Sequence, residues 1–162
     1  MVSNPGRRLV ASTNQFGLEF HHFGLAVRDP AQSFRYLAAL GYREGSTCFD
    51  AHQRVNLAMR HHEAMPDVEI IWPGSEPSPI DRMLQHSTNV IYHLCYTSND
   101  VEGSIAAIEA AGLEVLPISE PAPAPLFGGL EVSFYSILEF GIIEIIQGVP
   151  ASLIAPTSQR KL

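Results

Sequence analysis

FHHFGLAVRD, residues Phe20 to Asp29, reads as a short strand that carries a histidine and runs into a helix start. The chain repeats it. His22 precedes Asp29 by 7 residues, and His93 precedes Asp100 by 7. Asp29 precedes Ser33 by 4 and Asp100 precedes Ser104 by 4, while His22 precedes Gly41 by 19 and His93 precedes Gly112 by 19. All four landmarks share one offset of 71 residues. A further pair, Glu69 in VEIIW and Glu144 in IEIIQ, lies 75 apart. Self-similarity at a fixed offset is the mark of a duplicated structural unit. The chain therefore reads as two copies of one unit, each giving a histidine and a glutamate to a shared site.

Outward from that stretch, alternation puts Phe23, Leu25 and Val27 on one face and His22, Gly24 and Ala26 on the other, as in a half-buried strand. The small residues beside His22 leave room for a ligand. By the same alternation His21 points away from His22, toward the surface or a cap. Asp29-Pro30 supplies an N-cap and a first-turn proline for a helix over 31–40, and Gly41 ends it. Strands are expected over 42–49, 53–60 and 68–72, giving β-α-β-β-β. The second unit repeats the order: a strand over 90–98 with His93, Cys95 and Thr97 on one face, a helix from Asn99-Asp100 to Gly112, and strands over 113–116, 130–137 and 142–147. A short helix over 80–85 belongs to the connection. PISEPAPAPLFGG, 117–129, with four prolines and two glycines, is expected to lack regular structure and to form a lid. The expected organisation is an arm over 1–19, a first module over 20–73, a linker with a short helix over 74–89, a second module over 90–148 and a mobile tail over 149–162. The fold class is α+β, with two paired β-α-β-β-β modules whose sheets curl into a cup and whose helices lie outside.

Composition narrows the function. A net charge of −7 with a single lysine, Lys161, argues against nucleic acid, which needs clustered cations. No apolar run reaches the length of a membrane span, and the N-terminal stretch has no apolar core of a signal peptide. Two cysteines, Cys48 and Cys95, argue against a disulfide framework and suit a reducing cytoplasm.

Glu69 shares its strand face with Ile71, and Glu144 with Ile146, so both carboxylates are expected to be buried. A buried carboxylate needs a cation or donors, or it takes up a proton. Two imidazoles at neutral pH supply no fixed charge, whereas a divalent metal does. The set His22, Glu69, His93 and Glu144 suits Zn, Mn, Fe, Co or Ni better than Ca or Mg. Cys95 is read as a small lining residue. Trp72, Phe127, Phe134 and Tyr135 are candidates to shape an apolar pocket. His61 and His62 read as a solvated loop, and His86 as the end of the short helix.

The paired HxxLAVxD-type strand starts, each leading to a helix and a glycine, resemble the vicinal oxygen chelate superfamily, which includes glyoxalase I, extradiol dioxygenases, bleomycin resistance proteins and methylmalonyl-CoA epimerase. EIIWPGSEPSPIDRML, from Glu69, is similar to a segment of the epimerases that carries Ser-Pro-Ile, here Ser78-Pro79-Ile80. The resemblance covers residues 20–148. It implies the same four metal ligands, and a metal-dependent isomerase or lyase that stabilises an enolate and moves an α-proton on a small acyl-thioester or 2-oxo substrate. It also implies a homodimer.

One element departs from the epimerase pattern. Where that family has a catalytic glutamate in E-x-G-V, this chain has His52-Gln53-Arg54-Val55. His52 is thus a candidate base opposite Glu144, which is read as both ligand and catalytic group; Asp50 substitutes if the turn differs. Two other classes fit the same outline. An extradiol-type dioxygenase uses two histidines and one carboxylate on iron, and a metal-free resistance protein binds a small molecule without chemistry.

Overall fold

The computed structural model describes residues 14–148. The expected arm over 1–13 and tail over 149–162 lie outside them. The first unit runs β1 (Glu19–Val27), α1 (Ala31–Ala39), β2 (Arg43–Asp50), β3 (Val55–His61) and β4 (Asp67–Pro73). A short helix, α2 (Pro79–Met83), leads to the second: β5 (Asn89–Ser98), α3 (Val101–Ala110), β6 (Val115–Pro117), β7 (Ala122–Pro123), β8 (Glu131–Ile137) and β9 (Gly141–Gln147). Among the described residues no helix is long and apolar enough to cross a membrane.

The helix boundaries follow from local chemistry. The Asp100 carboxylate accepts a hydrogen bond from the Gly103 amide at 2.9 Å and caps α3, and Asp29 accepts from the Ala31 amide at 2.9 Å ahead of α1. Gly41 and Gly112 take φ of 93° and 79° just past the two helices, a conformation that costs glycine little. The Asp81 carboxylate accepts from the Ser78 amide at 2.5 Å, which makes one half of a capping box at the start of α2.

One curled sheet runs in the order β2-β3-β4-β1-β5-β9-β8-β6, with β7 added alongside β8. The two units meet where β1 and β5 pair antiparallel. Each histidine strand is flanked on its other side by a parallel glutamate strand, β4 beside β1 and β9 beside β5. Period-2 alternation then divides the side chains. On the outer side, Val68 and Ile70 pack with Leu37 of α1, and Ile143 and Ile145 pack with Ile108 of α3. Ile71 and Ile146 belong to the inner clusters, on the same strand face as Glu69 and Glu144.

Three segments differ from the sequence reading. Asn14 to Leu18 is not a loose arm: the Asn14 side chain accepts from the Phe16 and Leu18 amides, and Leu18 is buried against Ile108 and Val115. The proline-rich 117–129 segment is built rather than shapeless. It contributes β7 and a 3-10 turn, Pro125–Phe127, and buries Ala124 and Leu126 in the inner clusters. Its prolines stand where the ladder and the first helical turn ask for no N–H. Finally, the register of β1 on β5 skips His21 on one strand and Tyr92 on the other. These are two bulges at equivalent places in the repeat, and a bulge breaks the alternation on which the reading of His21 rested.

Gly24 stands opposite His93 in the β1–β5 ladder, and a methyl group there would overlap the His93 imidazole. Replacing Gly24 by Ala is expected to lower the unfolding free energy by about 1–3 kcal/mol through overpacking, read as a shift in the urea midpoint at unchanged slope.

Candidate metal centre

The four residues singled out by the repeat converge. His22, Glu69, His93 and Glu144 each offer one ligand atom, and these atoms lie within 4.8 Å of one another. His22 Nε2 stands 3.6 Å from Glu69 Oε2 and 3.7 Å from Glu144 Oε2. His93 Nε2 stands 3.4 Å and 3.3 Å from the same two oxygens. The two Nε2 atoms are 3.4 Å apart. All four side chains are buried. The sheet register accounts for this: Glu69, Gly24 and His93 form one row across β4, β1 and β5, and His22, Cys95 and Glu144 form another across β1, β5 and β9. The middle residue of each row is small, so the flanking side chains lean in over it.

The electrostatics of the cluster are unbalanced without a cation. Burial, together with the charge of Glu144, pushes Glu69 up to about 8. Burial alone would also raise Glu144, but the charge and hydrogen bonding of His93 bring it down to about 2. One carboxylate is thus charged and its neighbour is held in the acid form. Burial keeps His22 below its usual range. Two buried atoms, Glu144 Oε2 in the cluster and His93 Nδ1 on the far side of its ring, have no hydrogen-bond partner. Nitrogen and oxygen donors about 2.1 Å from a shared ion stand roughly 3.0–3.5 Å apart, close to the separations here. The donor set fits a divalent transition metal or zinc.

A cavity of about 10 Å³, the size of one water or ion, opens over Glu69, His93 and Glu144 and is walled by Asp50, Gln53, Tyr92 and Phe134. The same four wall residues border a wider cleft of about 310 Å³ with His52, Ile118 and Ser119. Asp50 is buried at the junction: its Oδ1 accepts from the His52 and Gln53 amides at 2.8 and 3.0 Å. His52 is exposed on the turn beyond it and lines only the wider cleft. Burial and the two glutamates push Tyr92 up to about 12, so its phenol stays protonated. Cys95 is fully buried and its thiol is pushed well above its usual range, first by burial and then by Glu144. That agrees with a lining residue and not a nucleophile. Phe127 and Phe134 pack on the histidine rings, as does Tyr92. Trp72 is on the other side of the sheet, edge-on to Phe34 of α1, and Tyr135 packs in the outer cluster.

His21 corrects the sequence reading most. Its bulge turns the ring toward its neighbour, and His21 Nδ1 lies 2.6 Å from His22 Nδ1. Burial, reinforced by His22, lowers His21 to about 4. Nothing in the alternation of the strand signals this. Of the polar-loop histidines, His61 is paired through Nδ1 with Asp67 at 2.7 Å and is not simply solvated.

Comparison with known proteins bears on this arrangement. The family model described as the glyoxalase/bleomycin resistance protein/dioxygenase superfamily matches residues 21–134. The chain belongs to this superfamily. Its fold is shared with the methylmalonyl-CoA epimerase of Mycobacterium tuberculosis, at 18% identity and a TM-score of 0.66 over 86% of this chain and 92% of that one. A hypothetical protein of Bacillus halodurans is similar at 22% identity and a TM-score of 0.68, covering 82% and 95%. So is a Streptomyces coelicolor methylmalonyl-CoA epimerase variant in complex with 2-nitronate-propionyl-CoA, at 22% identity and a TM-score of 0.64, covering 86% and 99%. No curated protein sequence matches the chain. Members of the glyoxalase/bleomycin resistance/dioxygenase superfamily are mostly enzymes and typically hold a divalent metal.

The raised Glu69 gives a test of the cluster. Above pH 7 the lowered His21 and His22 are neutral in the folded chain and largely so in the unfolded one. Glu69 then still binds its proton when folded and has lost it when unfolded, so unfolding releases a proton and stability falls with rising pH. For metal-free protein the loss between pH 7 and 8 is expected to be about 1 kcal/mol, from one proton at up to 1.36 kcal/mol per unit. Adding Zn(II) or Co(II) should abolish this slope and raise the melting temperature. Denaturation curves at several pH values, with and without metal, check both.

Proposed function

We propose that the protein is a metal-dependent enzyme of the glyoxalase type that moves a proton next to a carbonyl, on a small acyl-thioester or 2-oxo substrate, in the manner of a methylmalonyl-CoA epimerase. One observation carries the reading: a buried cluster of two histidines and two glutamates at the floor of a cleft, with a further buried carboxylate, Asp50, on the wall above it. When bound there, a divalent ion supplies a Lewis acid that stabilises the negative charge left as an α-proton departs.

The chain's own residues divide the remaining work. His22, Glu69, His93 and Glu144 hold the ion. Asp50 is the base we favour. Two backbone amides fix its Oδ1, and Oδ2 has only a longer contact, 3.3 Å from Gln53 Nε2, so its lone pairs are free for substrate. His52, at the mouth of the wider cleft, would exchange protons with solvent or contact the outer part of the substrate. Glu144, with one oxygen that has no hydrogen-bond partner, would be the second candidate to take up the proton. Phe127, Phe134 and Leu126 keep water away from the floor.

Acyl-CoA ligands support the substrate class by analogy. Epimerase neighbours of this fold are described in complex with methylmalonyl-CoA and with 2-nitronate-propionyl-CoA. Of the arginines near the cup, Arg28 is already engaged with the Leu84 and Gln85 carbonyls, while Arg54 is exposed on the turn beside the cleft. Four protein donors argue against an extradiol dioxygenase, which needs three open positions on its iron.

The test is solvent-deuterium incorporation at the α-carbon of methylmalonyl-, lactoyl- and related CoA thioesters with metal-loaded protein. Exchange is expected with at least one of them, and its absence from all of them would count against the proposal. Replacing Asp50 by Asn should slow exchange by about 10²–10⁴-fold, while His52→Ala should cost about tenfold or less. The opposite ranking would make His52 the base.

A further inference from the structure

The two histidines of the cluster are held differently at their far nitrogens. His93 Nδ1 is buried without a partner. His22 Nδ1 is 2.6 Å from His21 Nδ1. We propose that His21 is a positioning residue that accepts the His22 Nδ1–H and thereby keeps the His22 Nε2 lone pair aimed into the cluster. The inference rests on the metal-site reading for its consequence, and on the hydrogen bond alone for its geometry.

A contact of that length between two imidazole nitrogens takes one proton, so one ring donates and the other accepts. If His22 were the acceptor, its proton would sit on Nε2. There it would face Glu69 and Glu144 oxygens at 3.6 and 3.7 Å, beyond hydrogen-bond reach, with only the 3.4 Å contact to His93 Nε2 left to it. In the opposite assignment the His22 Nε2 pair accepts from His93 at that contact. That assignment gives His22 a proton on Nδ1, a lone pair on Nε2, and His21 a proton on its own Nε2. Metal-bound histidines commonly donate the far N–H to a carboxylate or a carbonyl, which fixes the ring and its tautomer. Here another histidine does so.

The bulge makes this arrangement. Skipping His21 in the ladder lets its ring swing to the face of His22. Phe127 then packs edge-on to His21 at 5.6 Å and tilted on His22, also at 5.6 Å, so both rings are held by one side chain of the 125–127 turn. The matching bulge on β5 carries Tyr92, whose ring lies edge-on to His93 at 5.1 Å without reaching its Nδ1.

Two measurements test this. In metal-free wild-type protein, long-range ¹H–¹⁵N NMR should show His22 protonated at Nδ1 and not at Nε2, and His21 the reverse; a His22 protonated at Nε2 overturns the proposal. Affinity for Zn(II), measured by competition with a chelator, should fall about 10–100-fold in His21→Phe, which keeps the packing, and recover in His21→Asp, which restores an acceptor. His21→Phe with wild-type affinity overturns it as well. If wild-type protein binds no Zn(II) while the tautomers are as stated, the metal reading fails and the orienting contact stands.

Discussion

Two carboxylates facing each other in a space closed to water are the constraint on which this structure depends. Among the described residues neither Glu69 nor Glu144 has a lysine or arginine within ion-pairing distance, and burial disfavours the charged form of His22 beside them. In such surroundings one carboxylate must keep its proton or a cation must neutralise both. The sheet nevertheless puts them there, within strands that flank its two longest, where the backbone is little able to relax. Stability alone would favour apolar residues at these positions, since replacing buried ion clusters by well-packed hydrophobic groups is often neutral or better. The cluster is thus a cost carried by the rest of the core, the situation expected of a functional site.

The duplicated sheet is what makes the cost bearable and the geometry repeatable. The β1–β5 pairing is related to itself by the repeat: His22 stands opposite Cys95, and His93 opposite Gly24. Each histidine therefore leans over a small residue of the other strand, and each glutamate reaches in from the parallel strand beyond. The two halves are not identical in this respect. Gly24 leaves no side chain under His93, whereas the Cys95 thiol fills the space beside His22. That difference, with the partner that His22 alone has at Nδ1, makes the pair chemically unequal although the backbone is nearly symmetric.

Much of this was legible in the residues. The offset of 71 marked the two units, the two helices with their glycine ends and the two histidines, and the glutamate pair, 75 apart, completed the quartet, because a repeated strand must repeat its faces. What escaped was whatever broke the period. A bulge adds one residue and reverses every inference from alternation at that point, so His21 was assigned to the wrong side. The 117–129 segment looked shapeless because proline is counted against strands and helices; yet a two-residue strand and a single 3-10 turn need few amides. Trp72 was legible as a strand residue but not as an outward one until the glutamate next but two, Glu69, fixed the inward face. The relation of Asp50 to His52 depends on the turn between β2 and β3, and a turn's direction is not written in periodicity.

That turn is where the protein departs from the epimerase pattern it otherwise resembles, and its geometry says how. Arg54 falls where the pattern has glycine, and it adopts φ of 59°, the left-handed conformation that glycine accepts freely and a side chain accepts at a cost of roughly 1 kcal/mol. Asp50, the last residue of β2, is drawn inward by the amides of His52 and Gln53 and closes the gap above the glutamates, while the residue aligned with the family's glutamate is left outside in solvent. A shorter carboxylate set two positions earlier, fixed by the turn's own amides, borders the cavity over the glutamates. The floor of the site is set by the sheet, and the rim above it is made by this turn and by the proline-rich segment that lines the other side of the wider cleft.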